Sequence, residues 1–185
     1  MEKNDITNYS VTEQLRNGKL VTIRAIRVED KNSVAEAIRD VSSESFYRRI
    51  FSSKRELSDK ELQHLTEVDF ENVIALVAVM REEDQDRIVG GGRYVRTGTS
   101  GTAQKAEVAF LIDDAHQSLG IGSRIFKHLV TIARATGITQ FEAEVLPSNE
   151  SMLRLFSRSG LHVVSTPSRD SVHVMIDLAE AETLR

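Results

Sequence analysis

Cysteine is absent from the 185 residues, and so is tryptophan. Without thiols the chain forms no disulfide, offers no cysteine nucleophile and supplies no thiolate to a metal or cluster. The 2 prolines leave no room for a stiff extended linker. Aromatic residues make up 5%, too few for a surface on which bases stack. Positive charge is not in excess: 24 Lys and Arg stand against 28 Asp and Glu, a net charge of −4 that argues against wrapping nucleic acid. The longest unbroken apolar run, Val73 to Met80, is eight residues, where a membrane-spanning helix needs roughly 18 or more. The opening decapeptide MEKNDITNYS is polar and mixed in charge, unlike a secretory signal. These absences point to a cytoplasmic protein with no nucleic-acid or membrane partner. At roughly 150 residues per domain, 1–185 reads as a single domain, with 1–10 as a loose N-terminal tail.

What is present is an alternation of strand and helix patterns from end to end. Val11–Leu15, Asn17-Gly18 and Leu20–Ile23 read as a hairpin around a type I′ turn. Asp30 is placed to cap a helix carrying Val34, Ala37, Ile38 and Val41, and a second short helix is expected at Phe46, Tyr47 and Ile50. Ser58-Asp59-Lys60-Glu61 has the form of a capping box, opening a helix with Leu62 and Leu65 on one face. Val73–Val79 is apolar and β-branched, as in a strand covered on both faces. An acidic turn, Arg81–Asp86, separates it from a strand that starts near Arg87 and passes through Gly90-Gly91-Gly92. Thr97–Gln104 reads as a hairpin tip, and Ala106–Ile112 as the next strand. The clearest helix runs from about Gly120 to Ala135, with Ile121, Ile125, Leu129 and Ile132 as its apolar stripe and Gly137 as its stop. Thr139–Leu146 is a strand, Ser148 or Asn149 caps a helix reaching Ser159, and Leu161–Ser165 and Val172–Leu178 close the sheet. The sum is an α/β fold with a mixed, mostly antiparallel sheet and helices on both faces.

The chemistry concentrates in one stretch, a strand followed by Gln117-x-x-Gly120-x-Gly122 at a helix start. A helix start offers unpaired N–H groups and the positive end of the macrodipole, and glycines let a diphosphate approach the backbone closely. A glycine-bearing helix start also occurs with no ligand at all. The stretch is neither a GxxxxGK[ST] P-loop nor a full GxGxxG dinucleotide fingerprint.

Gln117-x-x-Gly120-x-Gly122 after a strand resembles the acetyl-CoA diphosphate loop of the GNAT N-acetyltransferase superfamily, and the order of elements is similar too. Pro147-Ser148-Asn149 with Met152-Leu153-x-Leu155-Phe156-x-x-x-Gly160-Leu161 resembles a second motif of that family. Three further stretches are similar to bacterial protein lysine acetyltransferases of the Pat type. They are Val21–Arg24 with Glu29-Asp30, then Phe51 through Arg55–Asp59 to Leu65-Thr66, then Glu142–Pro147. The resemblance covers roughly residues 15–178 and implies a GNAT-like fold and acetyl-CoA as co-substrate. It implies direct transfer of acetyl to an amine. Through the Pat likeness, that amine is a protein lysine, with an acyl-CoA synthetase as one candidate bearer. A small amine (amino acid, polyamine or aminoglycoside) is the alternative acceptor, and a silent acyl-CoA-binding regulator the alternative class.

The resemblance assigns residues in turn. The main chain at Phe110, Leu111 and Ile112 would pair with the pantetheine arm, and Gln117, Ser118, Leu119, Gly120, Ile121, Gly122 and Ser123 would hold the diphosphate. Asn149 would face the pantetheine, or serve simply as a helix cap. Glu107 stands where Pat-type enzymes keep a glutamate base. A lysine amine has a pKa near 10.4 and must lose a proton before it attacks a thioester, a step for which a nearby carboxylate suffices. The competing reading of Glu107 is a solvated strand charge. Many relatives place a tyrosine acid seven residues after the asparagine; here that position is Phe156, as in Pat-type sequences. No metal is expected, since His64, His116, His128, His162 and His173 show no ligand spacing. His116 reads as a surface turn residue. Arg124, Lys127, Arg154 and Arg158 are candidates for the 3′-phosphate, and Glu142 and Glu144 either favour a cationic acceptor or form an ion-paired face.

Overall fold

The computed structural model describes residues 1–39, 57–97 and 104–179. In chain order the elements are α1 (Lys3–Thr7), β1 (Ser10–Gln14), β2 (Leu20–Ala25), α2 (Lys31–Arg39), α3 (Asp59–Thr66), β3 (Val73–Glu82) and β4 (Gln85–Arg96). Then follow β5 (Lys105–Ile112), α4 (Ile121–Ala135), β6 (Gln140–Val145), α5 (Glu150–Ser157), β7 (His162–Pro167) and β8 (Val172–Asp177). The eight strands form one sheet in the order β1-β2-β3-β4-β5-β6-β8-β7. Every pair is antiparallel except β5–β6. This is the mixed, mostly antiparallel sheet that the alternating patterns predict.

Side-chain alternation divides two cores between the faces. Ile74 and Leu76 of β3, Val108 and Phe110 of β5, Ile125 and Leu129 of α4 and Phe156 of α5 share the larger one. Ala75 and Val77 of β3 turn the other way, toward Val34 and Ile38 of α2 and Leu62 and Leu65 of α3. The continuous apolar run of β3 is thus covered on both faces, as such a run requires. Termini follow local chemistry. Ser58 Oγ accepts from Glu61 N–H while the Glu61 carboxylate accepts from Ser58 N–H, a complete capping box. Gly137, at φ 80°, lets the chain turn off α4, with Ile138 N–H reaching back to the Ala133 carbonyl.

Several expectations are corrected. The Asn17-Gly18 turn is not type I′: only Gly18 has positive φ, and a three-residue loop is closed by Leu15 N–H on the Lys19 carbonyl. The hairpin with two left-handed residues is β3–β4, where Glu83 and Asp84 (φ 46° and 63°) form the whole connection and both strands run further toward it than the apolar pattern suggests. Asp30 faces backward: its carboxylate accepts from Arg27 N–H and grips both terminal nitrogens of Arg24 at 2.7 Å. Residues 1–10 are no loose tail. They contain α1, Ile6 is buried in the main core, and Tyr9 Oη lies 2.6 Å from His128 Nδ1 on α4. The helix expected at Phe46, Tyr47 and Ile50, Val41, the family-like stretch 51–56 and the tip at 98–103 lie outside the described residues. No described helix is long and apolar enough to cross a membrane.

Candidate active site

The site is built around a fork. β5 and β6 are register partners at three positions only: Lys105 with Gln140, Ala106 with Phe141, and Glu107 with Glu142. Past Glu107 the strands part, while β5 stays paired to β4 through Ile112. One edge of β5 therefore presents, in mid-sheet, backbone N–H and C=O groups with no strand beside them. An extended ligand that carries amides can pair with such an edge as a strand would.

A cavity of about 740 Å³ opens at this parting. Phe110, Leu111 and Ile112 form one wall, and Asn149, Met152 and Leu155 of the α5 region form another. Its end is the turn into α4, where Gln117, Ser118, Gly120, Ile121, Gly122 and Ser123 all line the space. Ser118 (φ 63°) and Gly120 (φ 87°) both take the left-handed conformation, and Gly120 is the N-cap of a 15-residue helix. The unpaired N–H groups and positive dipole end of α4 consequently meet the cavity. A Cβ at Gly122 would stand 3.0 Å from Leu155 Cδ1, so glycine there also lets α4 and α5 approach. Leu119 departs from expectation: it packs against the main core and does not line the cavity. Asn149 lines the cavity, and its Oδ1 accepts from Met152 N–H as the cap of α5.

The basic residues sort themselves by partner. Arg124 is already engaged, with Nε 3.1 Å from Glu13 Oε2 and its terminal nitrogens donating to the Gln14 and Gly120 carbonyls. It ties β1 to the turn and does not line the cavity. Arg154 and Arg158 do line the cavity, joined by Arg16, which the sequence reading missed. Arg16 lies in the loop after β1, distant in sequence from the motif, and only the folded hairpin brings it there.

On the other side of β5 lies a second cavity of about 440 Å³ beneath α2 and α3. Ile26, Val77, Ile88 and Leu111 give it apolar lining, and Arg93, Glu107, Asp113 and Glu144 add charge. Phe110 and Leu111 border both cavities, so the two meet across β5. Three carboxylates share this face of the sheet. Glu142 is paired with Lys105 Nζ at 2.8 Å. Glu144 accepts from the Ser171 hydroxyl at 2.7 Å and lies 2.6 Å from His173 Nδ1. The Ser171 bond above all, with His173 adding to it against a partial burial, lowers the Glu144 pKa below its ordinary value. Glu107 is exposed and has no hydrogen bond or ion pair among the described residues. It is the carboxylate of the three that is free to take a proton.

Two residues sit elsewhere than the motif suggests. Phe156 is 1% exposed, inside an aromatic cluster with Phe110 and Phe126 at ring separations of 6.2 and 5.5 Å, and lines neither of these two cavities. His116 is buried rather than on a surface turn.

Known proteins share this arrangement. The Acetyltransferase (GNAT) family model matches residues 35–161. Acetyltransferase Pat of Mycolicibacterium smegmatis is 34% identical over 147 residues, which is 80% of this chain and 43% of that protein, so the chain spans less than half of that relative's length. Acetyltransferase PA5475 of Pseudomonas aeruginosa is 30% identical over 167 residues, 90% of this chain and 88% of that one. The crystal structure of the GNAT domain of S. lividans PAT superposes with a TM-score of 0.82 at 34% identity, covering 91% of this chain and 96% of that chain. The chain belongs to the GNAT acetyltransferase family and is an N-acetyltransferase that uses acetyl-CoA.

Proposed function

We propose that the chain transfers acetyl from acetyl-CoA to a lysine side chain on a protein, with Glu107 as the base. The observation that carries this reading is the setting of Glu107: an unpaired carboxylate at the fork, on a face of the sheet that opens sideways onto β6, β8 and β7. Buried residues of β6 and β8 (Phe141, Ala143, Val145, Val174, Ile176) all point to the main core. On the opposite face Glu144 and Val164 are exposed and His173 and Met175 are half-buried. A surface left open beside the base suits an acceptor presented on another protein. The apolar lining of the cavity suits the methylene stem of a lysine, with the ammonium directed toward Glu107.

In this reading the pantetheine arm pairs with the free edge of β5 at Phe110–Ile112, and the turn from Gln117 to Ser123 receives the diphosphate. Glu107 accepts the proton that the amine gives up as its nitrogen bonds to the thioester carbonyl carbon. The C–S bond then breaks and the thiolate departs. Backbone N–H groups of the strand and turn steady the oxyanion in between. A thiol of ordinary pKa near 8.5 leaves readily without an acid, consistent with a phenylalanine at 156. The protein is read as cytoplasmic, where acetyl-CoA and protein lysines meet.

The cavity itself favours one competing reading, a small amine held under α2 and α3. Incubation with acetyl-CoA and a purified acyl-CoA synthetase, with free lysine and spermidine as parallel acceptors, separates the two by mass spectrometry. Site-specific acetylation of the synthetase that disappears in Glu107→Gln supports the proposal. Acetylated small amines with an untouched protein overturn it in favour of the small-amine reading. No product from any acceptor, with acetyl-CoA still bound, moves the chain to a silent binder.

A further inference from the structure

Between the two cavities stands a charged cluster that the reaction does not use. Asp113 follows β5, is 4% exposed and borders the smaller cavity beneath α2 and α3; His116, three residues on, is 8% exposed and borders the larger cavity at the fork. His116 Nδ1 lies 3.0 Å from Asp113 Oδ2, and its Nε2 lies 3.0 Å from Glu82 Oε1. Arg87 closes the group, 3.6 Å from Glu82 Oε2 and 3.8 Å from Asp113 Oδ2. Glu82 and Arg87 come from the β3–β4 hairpin, and Glu82 borders neither of the two cavities.

Buried charges are unfavourable unless paired, and an apolar plug would fill this space with less desolvation. What the charged cluster adds is direction. The imidazole is held at both nitrogens, so the ring cannot swing, and Asp113 also accepts from Ala115 N–H at 3.1 Å. The backbone leaving His116 enters the turn at Gln117, whose own Nε2 donates to the Ile112 carbonyl, and the next residue is the left-handed Ser118. The orientation of that turn is thereby referred to the β3–β4 hairpin.

We infer that Glu82 is a positioning residue: by holding His116 it fixes the Gln117–Ser123 turn, and so sets affinity for acetyl-CoA from outside both cavities. The inference rests on the reading of that turn as the diphosphate site. The test is calorimetric titration with acetyl-CoA, together with steady-state kinetics, on Glu82→Ala, Glu82→Gln and Gly122→Val, each checked for folding by circular dichroism. Glu82→Ala raises Kd and KM for acetyl-CoA roughly tenfold, the scale of an ordinary coupling between sites, with kcat within about twofold. Glu82→Gln keeps an amide that can pair with the same ring nitrogen, as acceptor or as donor, and stays near the wild type. A Glu82→Ala protein with unchanged Kd and KM overturns the inference, as does one that loses kcat while KM holds. Gly122→Val separates the two levels. If it binds acetyl-CoA as the wild type does, the turn is not the diphosphate site and both readings fall. If it binds poorly while Glu82→Ala binds normally, only the positioning role falls.

Discussion

Glu107 and Glu142 are the last register partners before β5 and β6 part, side by side on one face, and only Glu142 has a counter-ion, Lys105 Nζ at 2.8 Å. Parallel register partners carry their side chains on the same face, so the two carboxylates differ little in position. They differ in occupation: one is already neutralised, the other is available to an incoming ammonium.

That difference predicts unequal consequences for the same substitution. Glu107→Gln lowers turnover by roughly 10²- to 10⁴-fold, the usual contribution of general-base catalysis, while acetyl-CoA affinity holds. Glu142→Gln, which removes an ion pair at a partly exposed site, changes turnover by no more than a few-fold. The comparison is kcat for the two variants at saturating acetyl-CoA; equal losses would show that the local charge, not a proton acceptor at 107, is what matters.

The place of Phe156 predicts that a tyrosine there does not restore an acid. The ring lies between Phe110 and Phe126 in the core, so the hydroxyl of Phe156→Tyr enters an apolar cluster. An unsatisfied buried hydroxyl costs about 1–3 kcal/mol, which for a chain of this length lowers Tm by roughly 2–4 °C per kcal/mol. Calorimetry is expected to show that fall with no gain in kcat. A variant that is both stable and faster would mean that position 156 reaches the reacting thiolate.

Much of this was legible in the chain itself, for reasons that differ by residue. The apolar run 73–80, the stripe of α4 and the capping box at Ser58 are local signals that packing reinforces, so the elements fall where periodicity puts them. Glu107 and the Gln117–Ser123 turn were readable because strand, turn and helix are contiguous. The partners of the fork were not. Arg16 reaches the cavity, and Glu82 and Arg87 reach the His116–Asp113 pair, through hairpins, and no spacing in the sequence announces them. The turn types misled because Asn-Gly favours a left-handed pair without compelling it, whereas Glu83-Asp84 accepts one when the register of β3 on β4 leaves only two residues to connect them.

The glycines of β4 illustrate how one tripeptide serves two faces. A Cβ on Gly92 would stand 2.5 Å from Phe110 Cδ1 and 2.7 Å from Ile125 Cγ2, inside the main core. One on Gly91 points to the opposite face and meets the Leu76 carbonyl at 3.0 Å as its nearest atom. Gly92→Ala therefore overpacks the junction of β4, β5 and α4 at a cost of about 1–3 kcal/mol. Gly91→Ala costs less, and its methyl enters the cavity beside Leu111. Thermal melts rank the two, and a Gly91→Ala protein that melts below Gly92→Ala would contradict the assignment of faces.

Acid stability carries a last expectation, from Asp69 in the connection between α3 and β3. Its burial pulls the pKa upward, but N–H donation from Glu71, Val73 and Asn72 and from the Asn72 side chain outweighs it and holds the carboxyl at about 2, against an ordinary 3.8. The folded state thus prefers the carboxylate. The stabilisation is complete above the unfolded value of 3.8 and is lost as pH falls through the folded value of about 2. Asp30, lowered by Arg24 and the Arg27 N–H despite its burial, works in the same direction. Asp69→Asn removes the titration while keeping an oxygen to accept from the turn. Urea midpoints measured across that acid range are expected to fall less steeply for Asp69→Asn than for the wild type, with the slope that remains belonging in part to Asp30. Parallel curves would mean that Asp69 titrates alike in the folded and unfolded chains, and that its four donors hold the turn without favouring the charge.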